Sequence, residues 1–332
     1  MVLHIGTVGK IMPVVVTQGI LTYMKELLKG VNALSQLIQL ASTLDLYPAL
    51  TDQPGQELSP LPTWSFLRDF MEQYDVSTAL YAAGYLNVLH LQQTPQELLN
   101  IIIEQASKAL SDFDGQLKSL QEREGLSPEL PSTRILTYQE LVALCRQQEG
   151  GDACLPAIDF KEKELLENGE SYQMVAFKWI IAILEWLAMK EPVVVIGFAP
   201  PYYPAMNSRH LQDSLIRIEQ VIQDYQNFLA RDHWQLMVKE YFKGICDMSY
   251  TALEESSEAY QTVLDSLAVA DDTYELDLKA ISELNIPSIN LGPWGKELHR
   301  RGERVYASEF QKTVPYYLIY LLHHFKDLII NE

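Results

Sequence analysis

The sequence predicts a mixed α/β protein, with a small two-layer α+β module over residues 1–138 and a second α/β part over residues 139–332. Three observations predict it. Val193-Val194-Val195-Ile196-Gly197-Phe198 is a continuous apolar run between Pro192 and Pro200-Pro201, the pattern of a strand buried on both faces, as parallel sheets require. The first part switches between strand and helix periods in the order β-α-β-α-β. Near the other end, the apolar run Ile286 to Leu291 leads into Gly292-Pro293-Trp294-Gly295. A strand end followed by a Gly-rich turn is where open α/β sheets place their ligands.

Taken in order, residues 5–16 alternate weakly and then run Val14-Val15-Val16, a strand. Apolar residues at 31, 34, 37, 38 and 41 give Gly30 to Leu46 a helical period. Asp52 to Pro62 is a Pro/Gly/Gln turn region, Trp64 to Tyr74 carries no clear period, and Thr78 to Leu91 reads as a long strand. Thr94-Pro95-Gln96-Glu97 starts a helix, with Thr as cap and Pro in the first turn, that stays amphipathic to Arg123. A strand at 134–137 and helices at 138–147 and 172–189 follow. Beyond the run at 193–198 come a helix at 208–230, a strand at 234–245, helices at 256–267 and 276–284, the strand 286–291, and a helix at 308–330.

A chain of 332 residues is long enough for two domains and buries about three quarters of its unfolded surface. Lys+Arg at 25 against Asp+Glu at 44 gives a net charge of -19, which repels phosphate backbones and anionic membranes. Nucleic acid and membrane are therefore excluded as partners. Cys145, Cys154 and Cys246 form no CxxC pair, and so sparse and odd a count suits a reducing compartment, the cytoplasm. Ile11 to Ile20 is too short to span a bilayer, and Lys178 and Glu185 interrupt Met174 to Met189, which reads as a core helix.

The candidate site residue is His299. The glycines before it let backbone approach a ligand closely. Glu303, four residues on, either orients the imidazole as an acceptor or pairs with Arg300 or Arg304. A catalytic zinc needs at least three protein ligands. The other histidines, His4, His90, His210, His233, His323 and His324, fall in no H-x-D, H-x-x-x-H or H-E-x-x-H pattern. Glu254-Glu255 lies in a polar helical stretch and reads as solvated surface, and His323-His324 as surface or packing. There is no P-loop ending and no Gly-x-Ser-x-Gly elbow.

Gly292 to Glu303, with His299 four residues before Glu303, resembles the last metal-binding segment of the aminoacylase/carboxypeptidase-type zinc exopeptidases (peptidase family M-twenty). Gly6-Thr7-Val8-Gly9-Lys10, then Gly19 and Gly30-Val31-Asn32-Ala33, is similar to the start of that family's lid, or dimerisation, domain. The form is that of the arginine-utilisation branch typified by RocB. Asn87 in Tyr85-Leu86-Asn87-Val88 matches a strand asparagine of the lid, and Val193 to Tyr203 and Asp247-Met248-Ser249-Tyr250 are similar to the same branch.

The resemblance covers nearly the whole chain but only the later part of the family's length. It implies a ferredoxin-like lid over 1–138, the C-terminal part of a three-layer α/β catalytic domain over 139–332, zinc as cofactor with His299 as ligand, and a homodimer formed through the lid. Two departures accompany it. The H-x-D, bridging Asp and Glu-Glu segments that precede the lid in the family are not in this chain. Tyr23 stands where the lid carries a histidine, and a phenol titrating near ~10 does not replace a protonatable imidazole.

The resulting expectation is a truncated, catalytically impaired metallopeptidase or amidohydrolase homologue, acting as a dimer or with a companion chain that supplies the missing half. Two alternatives stand beside it. One is an active zinc-dependent hydrolase of an amide bond in a peptide or acylated amino acid, built from His299 and carboxylates such as Asp247. The other is a non-catalytic amino-acid-binding protein that keeps the old cleft.

Overall fold

A computed structural model describes residues 1–72, 75–127, 129–211, 216–231, 233–254, 260–270 and 273–328. The amino-terminal segment makes four short strands where the sequence suggested one: β1 (Val2–His4), β2 (Gly6–Thr7), β3 (Gly9–Ile11) and β4 (Pro13–Gln18). The first two breaks are changes of partner, whereas β3 and β4 share the strand at 81–90 and only β4 adds the one at 193–198. At the last one Pro13 has no N–H to offer, and the Met12 carbonyl accepts the Ala199 N–H at 2.9 Å. Helix α1 (Ala33–Leu44) is capped by Asn32, whose side chain accepts the Leu34 N–H at 3.0 Å. The stretch without a clear period forms the strand β5 (Thr63–Asp69), and β6 (Tyr81–His90) follows.

Helix α2 (Pro95–Arg123) opens on a capping box: Glu97 N–H donates to Thr94 Oγ1 at 3.3 Å, and Thr94 N–H to the Glu97 carboxylate at 2.8 Å. Strand β7 (Arg134–Thr137) passes through a second box, Thr137 with Glu140, into α3 (Tyr138–Gln147). Helix α4 (Gly151–Glu167) has no counterpart in the sequence reading, because Gly150-Gly151 and Pro156 look like breakers. Gly150 caps it at φ 86°, in the left-handed region, and the helix runs on through Pro156. Helix α5 (Tyr172–Leu187) and strand β8 (Val193–Phe198) fall where the sequence placed them.

The remainder is more broken than expected: β9 (Met206–Asn207), α6 (Ile218–Ala230), β10 (Met237–Lys239), α7 (Gln261–Ser266), α8 (Leu278–Leu284), β11 (Asn290–Leu291), β12 (Gly295–Lys296), β13 (Arg304–Val305) and α9 (Val314–Leu328). The strand expected at 234–245 shrinks to β10, and that at 286–291 to β11. Pro287 has no N–H, the Ile286 N–H goes to the Thr251 carbonyl, and only Asn290 and Leu291 find a strand partner, in β1. The helix expected from Ser308 begins as a π-helical turn, Glu309–Thr313, before α9. Of the helices expected at 208–230, 256–267 and 308–330, residues 212–215, 256–259 and 329–330 lie outside the described residues.

The main sheet runs β5-β6-β4-β8-β7, with β3 continuing β4 along the same side of β6. Strand β8 is antiparallel to β4 and parallel to β7, so the sheet is mixed where the apolar run had suggested an all-parallel one. It draws strands from both sides of residue 138.

Period-two alternation sends Val15, Val194, Ile196 and Phe198 to one face, against α1 and α2. Val14, Val16, Val193 and Val195 go to the other, against α3 and α5. The continuous apolar run is therefore a strand covered on both sides, and the layers are helix, sheet, helix. A second core forms around β1, which lies between β10 and β11. There Leu3 and Ile5 meet α6, and the Tyr317 ring of α9 stacks on Tyr225 at 3.7 Å between centroids. Among the described residues no helix is long and apolar enough to cross a membrane.

Ile196 is fully enclosed in this sheet. Ile196→Ala lowers stability by about 2–5 kcal/mol, through lost burial and the cavity left behind. Chemical denaturation should show a lower midpoint at an unchanged slope.

Candidate functional site

His299 sits at the tip of the β12–β13 hairpin, in which Gly295 pairs with Val305 and Lys296 with Arg304. Both His299, at φ 60°, and Glu297, at φ 59°, take the left-handed conformation that turns the chain. Glu303 is close, but its carboxylate accepts the backbone N–H of His299 at 3.3 Å, so its role here is to hold the turn. Arg304 pairs with Glu297 at 2.6 Å, and Lys296 lies over the Trp294 ring at 5.0 Å. The buried Glu309 fixes the hairpin base by accepting the Trp294 N–H at 2.7 Å. The His299 side chain is exposed.

The other residues singled out from the sequence lie on separate elements. Asp247 is exposed at the start of a 3-10 turn, Asp247–Tyr250. Asn87, on β6, donates its amide to Ser65 Oγ of β5. Tyr23 is 55% exposed and bridges through its backbone to Ser77. Among the described residues no group of three or more His, Cys, Asp or Glu side chains could hold a metal ion. His299, Glu303 and Asp247 therefore do not by themselves fit a catalytic zinc.

Three of the segments that resemble the zinc exopeptidases do meet. Lys10 bridges to Tyr203, the Tyr250 hydroxyl donates to the Tyr202 carbonyl at 2.8 Å, and the Tyr203 and Tyr250 rings pack at 5.3 Å. The peptide bond between Pro200 and Pro201 is cis.

A second constellation gathers at the end of β6. His90 is 2% exposed and faces Gly9 across the ladder, where a Cβ would run into the imidazole. Burial drives its pKa from 6.5 down to about 4, against the opposing pull of the Asp52 carboxylate and the Gln93 backbone. The ring is therefore neutral at neutral pH, and neither nitrogen completes a hydrogen bond. Asp52 accepts the N–H groups of Leu91 and Gln93 at 3.0 and 2.7 Å, and that of Gln92 as well. Glu57 does the same for Glu240 at 2.8 Å.

Glu254 receives His210 Nδ1 at 2.7 Å and is mostly buried, so it is not the solvated surface residue expected from the sequence. Its neighbour Glu255 lies outside the described residues. Burial and the nearby Glu254 charge push the Tyr241 hydroxyl up to about 12. A cavity of about 320 Å³ opens among His90, Gln93, Glu254 and Tyr260. The sequence reading gave His90 no role. The available signal was Gly9, a glycine in a strand opposite a histidine.

No family profile matches the sequence. The chain is similar to YqjN of Bacillus subtilis (strain 168), described as an uncharacterized protein, with 26% identity over 320 residues, 94% of this chain and 56% of YqjN. It is similar to Protein RocB of the same organism, with 26% identity over 315 residues, 92% of this chain and 54% of RocB. The chain thus spans about half the length of the curated relatives it matches. Among solved structures, an aminobenzoyl-glutamate utilization protein from Klebsiella pneumoniae aligns over 36% of this chain and 28% of its own, at 13% identity and a TM-score of 0.25. The resemblance to the RocB branch, read from the Gly-rich turn and the lid-like segments, is borne out by relatives that match along nearly the whole chain.

His90 also sets a pH dependence. Its folded pKa, about 4, lies below the unfolded 6.5, so the folded state disfavours the proton. Its share of stability is fully present above 6.5 and is lost as pH falls toward about 4, a loss of about 3 kcal/mol. Thermal unfolding against pH should be flatter across that window in His90→Gln than in the wild type.

Proposed function

We propose that this chain is a relative of the RocB-type hydrolases that is catalytically impaired on its own. In this reading it supplies the lid-like and C-terminal parts of an amidohydrolase or metallopeptidase site. It acts with further polypeptide that covers the His299 hairpin: a second copy of the chain, or a companion that corresponds to the part of its relatives it does not span. The substrate class proposed with it is an amide of a peptide or acylated amino acid, as in the arginine-utilisation branch. Zinc is the proposed cofactor of the completed site, with His299 as one ligand.

One observation carries the reading: the hairpin that bears the candidate ligand and the helix after it leave many large apolar side chains exposed. Leu298 beside it is 64% exposed, Phe310 60% and Leu322 77%, with Trp294, Val305, Tyr306, Tyr316 and Ile319 also exposed. Helix α9 buries Val314 and Tyr317, three residues apart, and turns Tyr316, Leu318, Ile319 and Leu322 outward. So many exposed apolar side chains on one hairpin and the helix after it support the proposal of an interaction surface here. Covering a half-exposed aliphatic or aromatic side chain contributes about 1 kcal/mol, so a partner seated here would gain several such increments. Such a partner could bring the carboxylates and histidines that the described residues do not gather around His299.

The test is hydrolysis of N-acylated amino acids by the purified chain with added zinc, beside His299→Ala. The reading expects equal background rates from the two proteins. A zinc-dependent rate that the substitution abolishes would show a self-sufficient hydrolase and overturn it.

A further inference from the structure

Cys145 and Cys154 belong to no short cysteine motif, yet the fold brings them together. Cys145 lies in the last turn of α3 and Cys154 in the first turn of α4. The junction between the two helices is tight. The Gln148 N–H donates to the Cys145 carbonyl at 3.1 Å, and the Gly151 N–H turns back to the Gln148 carbonyl at 3.0 Å. A Cβ on Gly151 would run into the Cys145 carbonyl, so a glycine lets α4 begin this close to the end of α3. Across this junction the two thiols share a hydrogen bond.

The pair is asymmetric. Cys145 is fully enclosed, in the core cluster that also holds Leu141 and Leu155, whereas Cys154 is half-buried. Burial pushes the Cys145 thiol up to about 11, with Arg146 pulling it down and Asp152 pushing it up. Burial also raises Cys154, against the pull of its bond with Cys145 and of Lys161. Thiolate is therefore scarce at neutral pH and grows as the pH rises. Arg146 and Leu155, each next to one of the cysteines, line a cavity of about 1220 Å³ that α7 also borders. A bond between the thiols would tie together two elements of its wall.

We propose that Cys145 and Cys154 form a site of reversible oxidation, closed to an intramolecular disulfide by a small disulfide such as oxidised glutathione. The Cys154 thiolate, the more accessible, attacks one glutathione sulfur, and the S–S bond of the oxidant breaks. One glutathione thiolate leaves and takes up a proton. The Cys145 thiolate then attacks the Cys154 sulfur of the mixed disulfide and releases the second glutathione. Two protein thiols lose two electrons, the oxidant is reduced to two thiols, and the two protons pass from the cysteines to glutathione.

Incubation of the full, folded chain with oxidised glutathione at about pH 9, near the ordinary thiol range, tests it. The readout is the mass of the acid-quenched chain and of its unreduced proteolytic fragments. The expected product is a fragment joining Cys145 to Cys154, lighter by two hydrogens and separated again by dithiothreitol. It should exceed the glutathione adduct at Cys154 by about tenfold or more, because the Cys145 thiol is already in place while free glutathione must arrive from solution. Its rate should fall about tenfold for each pH unit lowered, as thiolate does. Cys154→Ser, at the half-buried position, should abolish the linkage, and Cys145→Ala should leave a glutathione adduct at Cys154 that does not resolve. A lasting adduct at Cys154 in the wild type, linkage to Cys246 or to a second chain, linkage only under denaturing conditions, or no reaction at all would each overturn the proposal.

Discussion

The ladder between β4 and β8 is the constraint on which the rest of the molecule hangs. Its register runs from Pro13 opposite Phe198 to Gln18 opposite Val193, joining segments far apart in the chain. Because both strands are buried at every position and mostly apolar, neither can be stable at an edge or with one face in water. Each needs helices on both sides, and α1 and α2 on one face and α3 and α5 on the other meet that need. Gln18 closes the end of the ladder by donating its amide to the Met189 carbonyl at 2.8 Å, which fixes where α5 ends and β8 begins. Non-local pairing of this kind forms slowly but is hard to open piecemeal.

The polar features follow from that frame. Strand β6 pairs with β4 and runs past it beside β3, so its last residue, His90, is carried into the interior opposite Gly9. Asp52 then gathers the backbone N–H groups of the turn that leads into α2, and the Thr94–Glu97 box fixes the start of that helix. The cavity is thus built from the end of the strand, the cap of the helix and the Glu254–His210 pair. The His299 hairpin stands apart from this frame. It is held by local contacts, Glu297 with Arg304 and Glu309 with the Trp294 backbone, and its side chains face outward.

Legibility in the sequence tracked how much of each element's reason to form lay within its own residues. The β8 run, the Thr94 and Thr137 caps and the apolar period of α5 are complete local signals, and those elements fall where the sequence put them. Helix α4 was hidden by Gly150-Gly151 and Pro156, whose tolerance depends on the packing of that helix against α5 and α3. The short strands β1, β2, β10 and β11 exist only because distant partners meet, and no periodicity in so few residues announces that. The candidate residues His299, Glu303, Asp247, Asn87 and Tyr23 came from motif resemblance. Chemistry in such motifs depends on what surrounds them in space. His90 was unreadable for the opposite reason: its importance lies in burial and missing partners, which leave no mark in the sequence beyond a glycine across the ladder.

The central claim is that His299 is one member of a site that other polypeptide completes. Titration of zinc into the purified chain, with His299→Ala beside it, tests this most directly. The account predicts weak and equal uptake by the two proteins, because one histidine and scattered carboxylates do not make a zinc site. Tight binding of one zinc per chain, lost on replacing His299, would contradict it.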